Sequence, residues 1–346
     1  MQHTNETAMQ NPFQLSFFRV LKQLLPEDTA LPEAIADILQ VSQDSAYRRL
    51  RGDTAMSIDE AITLCNHYKL PISLFVDSVR GLATFRYVAP DNNSATFKKY
   101  LSLQLKTIEG ILSADEKKIV YAAIDTPLFQ HYGYDPLCIF KFHFWMKVIL
   151  GVEDFKSGFQ KSDIDKELLL IAKKIHEGYL QIPSNEIWSY NVLDTTLQQI
   201  DFYWESGYFN TTDDAIEILD TLQLLLNDIE HMAEKSTKLI GHKETQQHGA
   251  YQLYQSDILL GNNTVVTYAD GKRTTFISHQ TFNMLICTEE AYCTETEEWL
   301  SRILSKSNLI SGVSEKSRIK FFRKLRKQID EAKGKILIAD KGMVNK

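Results

Sequence analysis

From Phe13 to Leu239, apolar side chains return at three- and four-residue intervals, the spacing that gives an α-helix one buried face. Against that rhythm the chain carries only 15 glycines and 8 prolines in 346 residues, too few turn formers for a mostly β protein. The expected fold class is therefore mainly α. The length predicts two or three domains, and a charged fraction of 24% beside a hydrophobic fraction of 44% excludes wholesale disorder.

A formal charge of −7 argues against a protein that coats nucleic acid through its bulk field, while leaving room for one local binding patch. The four cysteines, Cys65, Cys138, Cys287 and Cys293, form no CxxC and fit reduced thiols better than a disulfide framework. The longest apolar stretch, 138–150, is broken by Lys141, His143 and Lys147 and falls short of the ~20 residues of a membrane span. Residues 1–11 are polar, without a secretory pattern, and read as a flexible tail. The expectation is a soluble, cytoplasmic protein with no membrane partner.

Residues 12–80 read as a bundle of short helices. Asn11-Pro12 opens the first, with Phe13, Phe17, Val20, Leu21 and Leu24 on one face, and Pro26 ends it. The second runs over 32–39. Ser42 caps a third that extends to about Arg51, where Gly52 stops it. Ser57 and Glu60 form a capping box for the fourth, and a short apolar segment over 72–76 closes the unit. Ala36 is small enough for one helix to cross another, and Ile35, Leu39, Val41, Ala46 and Leu50 flank the bend between them. With the first helix included, this pattern resembles the helix-turn-helix of Cro/C1-type (lambda-repressor-like) transcriptional regulators.

The resemblance implies a DNA-binding head. It places Gln43, Asp44, Ser45, Tyr47 and Arg48 on base edges, where Gln pairs with adenine and Arg with guanine. It places Ser42, Arg49, Arg51 and Thr54 on the backbone. At the turn, where the family favours glycine because positive φ is cheap there, this chain has Gln40. Residues 1–90 hold eight Lys or Arg against ten Asp or Glu, so one head binds weakly and a homodimer on double-stranded DNA is expected.

Residues 90–241 read as an all-helical sensor and dimerisation region, with long helices over 96–112, 135–150, 164–179, 185–204 and 212–239 stacked as hairpins. The β-branched and aromatic run 118–124 is compatible with a strand. The many aromatics of this region either fill its core or line a pocket for a small-molecule or peptide effector. Residues 249–346 read as α+β with a small antiparallel sheet: strands over 251–260, 264–269, 273–278 and 282–287, with hairpin turns at Gly261-Asn-Asn and Asp270-Gly271. Thr294 and Glu297 are expected to cap one helix, and a last helix spans about 315–333. That helix carries a basic stripe, Lys316, Lys320, Arg323 and Lys327, readable as a contact for flanking DNA or an acidic partner, or as a solvated face. With the tail segment Lys306-Ser-Asn-Leu-Ile-Ser-Gly-Val-Ser-Glu-Lys-Ser-Arg, the chain beyond the head is similar to bacterial regulators of uncharacterised sensing function.

No HExxH, P-loop, GxGxxG or GxSxG occurs, and His231, His242 and His248 lack metal-ligand spacing, so no catalysis, metal or cofactor is expected. The expected function is a one-component, sequence-specific DNA-binding transcriptional regulator. Two alternatives stay open: a peptide-responsive regulator with a helical receptor domain, and a protein-binding adaptor that never touches DNA.

Overall fold

A computed structural model describes residues 12–24, 30–70, 72, 83–88, 93–239, 249–258, 260–279 and 282–344. The expected tail 1–11, the helix stop at Pro26, the segment 73–76 and the loop with His242 and His248 lie outside the described residues. The chain divides into two compact units, Met1–Thr84 and Phe85–Lys346.

Unit 1 contains four described helices: α1 (Pro12–Leu24), α2 (Leu31–Leu39), α3 (Gln43–Arg51) and α4 (Ile58–His67). Each sits where local sequence puts it. The Ser42 hydroxyl accepts from Ser45 N–H and caps α3; Ser57 and Glu60 form the expected capping box of α4. Gln40 takes the left-handed conformation, φ 53 and ψ 45, and ends α2 with its N–H on the Ala36 carbonyl. Phe17, Leu21, Ile35, Ala46 and Leu64 form the core, with Phe17, Leu21, Ile35, Ala46 and Leu64 at zero exposure.

Unit 2 departs from the expectation. Its centre is a seven-stranded mixed sheet in the order β6-β5-β4-β1-β2-β3-β7: β1 (Lys117–Ala123), β2 (Ser184–Trp188), β3 (Tyr251–Gln255), β4 (Thr264–Ala269), β5 (Lys272–His279), β6 (Asn283–Cys287) and β7 (Asn308–Leu309). Strands β1, β2 and β3 run parallel; β1/β4, β4/β5, β5/β6 and β3/β7 are antiparallel. The sheet is thus neither purely antiparallel nor confined to 249–346. Two of its strands come from the middle region, which is not all-helical and not a stack of hairpins.

The physical reason is parallel pairing. A strand whose neighbours are distant in sequence carries no local hairpin signal, and burial on both faces removes its alternation. The expected helix over 185–204 is in fact β2 followed by α9 (Asp194–Glu205). The expected hairpin at Gly261-Asn-Asn is a crossover, because β3 and β4 lie on opposite sides of the β1–β2 pair. The Asp270-Gly271 turn is a hairpin, with φ 47 and 77 at its two residues, the primed geometry that matches strand twist.

The larger face of the sheet is covered by α5 (Ser94–Leu112), α6 (Leu128–His131), α7 (Asp135–Phe144, continuing into a π turn Trp145–Ile149), α8 (Lys166–Gln181), α9, α10 (Thr212–Lys235) and α12 (Glu315–Val344). Gly178 lets α8 lie against α5: a Cβ there would come within 2.5 Å of Ile108 Cγ2. Helices α10 and α12 pack antiparallel, tied by Lys333–Asp220 at 2.6 Å and Thr212–Asp340 at 2.6 Å. On the other face α11 (Glu290–Ser305) packs Leu300 and Ile303 against Val120, Ala122, Ile187 and Val266. Helix α11 begins a turn before the expected cap, so Thr294 lies inside it.

One polar group is buried at the centre of the larger face. Glu186 accepts from Tyr179, Tyr251 (3.0 Å) and Gln130 (3.2 Å), and Lys238, lying over the Tyr179 ring, donates to the Tyr179 and Ile182 carbonyls. Burial pushes the Glu186 carboxyl up, against its hydrogen bonds and the pull of Lys238, and lowers Lys238 to about 7, against the pull of Glu186. The cluster is closed by its own partners. It explains why β2 carries Ser184 and Glu186 on a buried face.

Candidate nucleic-acid interface

Helix α3 has two sides. Ala46 is fully buried and Leu50 half-buried against the bundle, whereas Gln43, Asp44, Tyr47, Arg48 and Arg51 are exposed along one outer stripe, with Tyr47 at 51%. The sequence-predicted base readers thus lie together, with Ser45 half-buried at their edge, where it hydrogen-bonds the Ser42 hydroxyl at 3.0 Å. Ser42 is exposed at the helix N-terminus, where free N–H groups and the helix dipole favour an anion. Arg48 makes no ion pair among the described residues.

The four expected backbone contacts are placed unequally. Arg51 is exposed and lightly engaged by Asp53 at 2.9 Å, a surface pair that a phosphate can displace. Thr54 is half-buried, its carbonyl held from within. Arg49 is occupied inside the unit: its guanidinium meets Glu60 at 2.7 and 3.3 Å and the Ser45 carbonyl at 3.2 Å. A bidentate Arg–carboxylate pair of this kind fixes a helix rather than waiting for a phosphate. Arg49 therefore positions α3 against α4 here, and the spacing in sequence did not reveal this.

Glu60 does double duty. The same carboxylate accepts Ser57 N–H at 2.9 Å, so the cap of α4 and the clamp on α3 share one group. Burial alone would raise its carboxyl, but hydrogen bonds from Arg49 and Ser57 outweigh it and hold it below the usual carboxylate range.

Sequence reasoning missed Gln14 altogether. On α1, with 1% exposure, its amide nitrogen donates to the Arg49 carbonyl (2.7 Å) and the Thr54 carbonyl (2.8 Å), and its oxygen accepts Met56 N–H (2.8 Å). It pins the end of α3 and the loop after it to α1. A glutamine on an otherwise apolar helix face was the only available signal.

The second basic cluster, on α12 in unit 2, is divided. Arg318 is buried and caps the Ile310 and Gly312 carbonyls, Arg326 pairs with Glu230 and Lys324 lies over the Tyr190 ring. Lys316, Lys320, Arg323 and Lys327 are exposed on the stripe facing away from buried Phe322, Leu325 and Ile329. Among the described residues no group of three His, Cys, Asp or Glu side chains is placed to hold a metal ion, and no helix is long and apolar enough to cross a membrane. The four thiols are free and buried.

Comparison of the chain with protein-family models, with curated proteins and with solved structures returned no match.

Proposed function

We propose that this chain is a sequence-specific DNA-binding transcriptional regulator of the Cro/C1 type, cytoplasmic and homodimeric, in which unit 1 reads the operator and unit 2 dimerises and senses an effector. The observation that carries the reading is α3: an outer stripe of Gln43, Asp44, Tyr47 and Arg48 left exposed while Ala46 behind it is wholly buried, the N-terminus is capped by Ser42 and the C-terminal end is held by Gln14. In this reading α3 enters the major groove. Arg48 and Gln43 read base edges, Ser42 and Arg51 meet phosphates, and Arg49 with Glu60 sets the angle of the helix. Two heads about 34 Å apart would read a pseudo-palindrome.

Selection of duplexes from a random pool, followed by anisotropy titration at several salt concentrations, tests the proposal. Arg48→Ala is expected to cost about 1–3 kcal/mol on the selected site and to relax its preference at one position. Arg51→Ala is expected to weaken all sequences alike and to lower the salt slope by about one. No selected sequence, or Arg48→Ala behaving as wild type, sinks the proposal.

The adaptor reading has one observation behind it: Ile58 and Ile62 are 75% and 42% exposed on α4, beside half-open Phe13. If that surface is the functional one, Ile58→Asp abolishes partner binding and Arg48→Ala leaves it intact. The helical-receptor alternative loses its structural basis, because the middle region wraps a sheet instead of forming a concave stack of hairpins.

A further inference from the structure

Between α5 and the strands β1, β4, β5 and β6 of unit 2 lies a cleft of about 750 Å³, counting the part open to solvent. Ile108, Ile111, Ile119, Val265, Phe276 and Met284 make most of its wall. Protein interiors are close-packed, and a hollow whose wall is mostly apolar with a few polar groups is the usual form of a small-ligand site. A helix laid on a sheet normally closes such a space with its own side chains; here it does not.

The polar groups in the wall are few, and nearly all are used by the protein itself. Tyr100 donates to the Phe282 carbonyl and accepts from Gln104, whose oxygen accepts Tyr132. Thr107 donates to the Leu103 carbonyl at 2.9 Å. Asn283 donates to the Val88 carbonyl at 2.6 Å and accepts Met284 N–H. Tyr121 is different. It is 4% exposed, on the central strand, and its hydroxyl has no hydrogen-bond partner among the described residues. The hydroxyl is not among the sealed, unpartnered polar atoms of the described residues, so it meets the open space of the cleft, where a ligand oxygen can take the place of water. Burial first, then the nearby Asp125 and Glu186 carboxyls, keep this phenol protonated and therefore a donor.

Among the described residues the wall contains no Lys, Arg, His, Asp or Glu. An ionised ligand would lose its hydration there and gain no counter-charge, so a fatty acid is the wrong chemistry. We infer that the cleft binds a neutral, largely apolar small molecule that presents one hydrogen-bonding oxygen to Tyr121.

The position of the cleft gives occupancy a consequence. Val88 lines it, and the segment 83–88 is the stretch of chain that leads from unit 1 into unit 2. That segment is tied to the cleft wall by Arg86 and Ile286, which exchange two backbone hydrogen bonds of 2.8 Å, and by the Asn283–Val88 bond. A molecule seated against Val88, Met284 and Ile286 bears directly on this connector. Its role as an effector rests on the regulator reading; the binding site does not.

The test uses the full chain and 1-aminoanthracene, a neutral fluorophore that brightens in apolar surroundings. The site predicts saturable binding at one probe per chain. It predicts displacement by 1-decanol at a concentration at least about tenfold lower than by decanoate at pH 8, where the acid is ionised. Tyr121→Phe should leave the probe bound and weaken 1-decanol about 5- to 10-fold, the worth of one hydrogen bond. Leu103 lies at the rim, 40% exposed, so Leu103→Trp should block the mouth with an unchanged thermal melt. Absence of saturable binding, equal displacement by decanoate, or a folded Leu103→Trp variant that binds as wild type overturns the inference. The titration contains no DNA. A chain that binds 1-decanol but selects no duplex would defeat the regulator reading alone, whereas selected duplexes with no probe binding would defeat the site alone.

Discussion

At the residue scale, unit 1 hangs on two polar side chains that point inward. Gln14 satisfies two carbonyls and one N–H where α3 ends, all partly buried. Replacing it by leucine leaves those backbone groups without partners, at about 1–3 kcal/mol for a buried unsatisfied group. Gln14→Leu should therefore lower the unfolding free energy of unit 1 by about 2–3 kcal/mol and speed hydrogen exchange at Met56 N–H; an unchanged melt would refute this role. Glu60 gives a pH signature. Its folded carboxyl titrates below the ordinary value of 4.5, so its contribution is fully present above that pH and is lost as pH falls through the folded value. Acid titration followed by circular dichroism should show unit 1 weakening below about pH 4.5, and Glu60→Gln should flatten that limb.

At the element scale, the contrast between the units shows what a sequence exposes. The helices of unit 1 announce themselves because their stop and start signals are local: Ser42, Gly52 and the Ser57–Glu60 box each act within four residues. The exposed stripe of α3 was equally legible, since burial of Ala46 fixes which side faces out. The strand β2 was not. Its inward Ser184 and Glu186 have their partners at Gln130, Tyr179 and Tyr251, from 5 to 65 residues away, and polar residues on a buried face read as a helix surface until those partners are known. Gln14 and the Arg49–Glu60 clamp were hidden for the same reason. The turn between α2 and α3 gives an element-scale prediction. Gln40 holds φ 53, a conformation that costs an L residue about 1 kcal/mol and glycine almost nothing. Urea unfolding of unit 1 should rank Gln40→Gly at or above wild type, and Gln40→Val about 1–2 kcal/mol below it, because a branched Cβ makes the left-handed region worse. A valine variant as stable as wild type would mean that the turn is not held in that geometry.

At the scale of the whole molecule, unit 2 keeps four of its tyrosines almost wholly buried. Tyr121, Tyr132, Tyr179 and Tyr251 are all under 5% exposed around the larger face of the sheet, and burial first, then neighbouring carboxyl and phenol groups, holds each far above the ordinary value of 10. In the unfolded chain the same phenols titrate near 10. A group whose folded value is raised in this way stabilises the fold fully below its unfolded value, and that stability drains as pH climbs past it. Lys141 acts in the opposite sense in an adjoining window. Buried at 1% exposure and hydrogen-bonded to Thr196 and Gln199, it is lowered to about 8, so the unfolded chain holds the extra proton between about 8 and 10.5, and stability gained there rises with pH. Together they place an optimum for unit 2 near pH 9–10 with a steep alkaline fall beyond it. The four phenols should ionise, by ultraviolet difference absorption, only in step with the loss of helix. Lys141→Met should reduce the rise between pH 8 and 10, to which Lys238 also contributes, and leave the fall in place. A single smooth tyrosine titration centred on 10 with the helix signal intact would mean that water reaches the larger face of the sheet, and the packing described for it would be wrong.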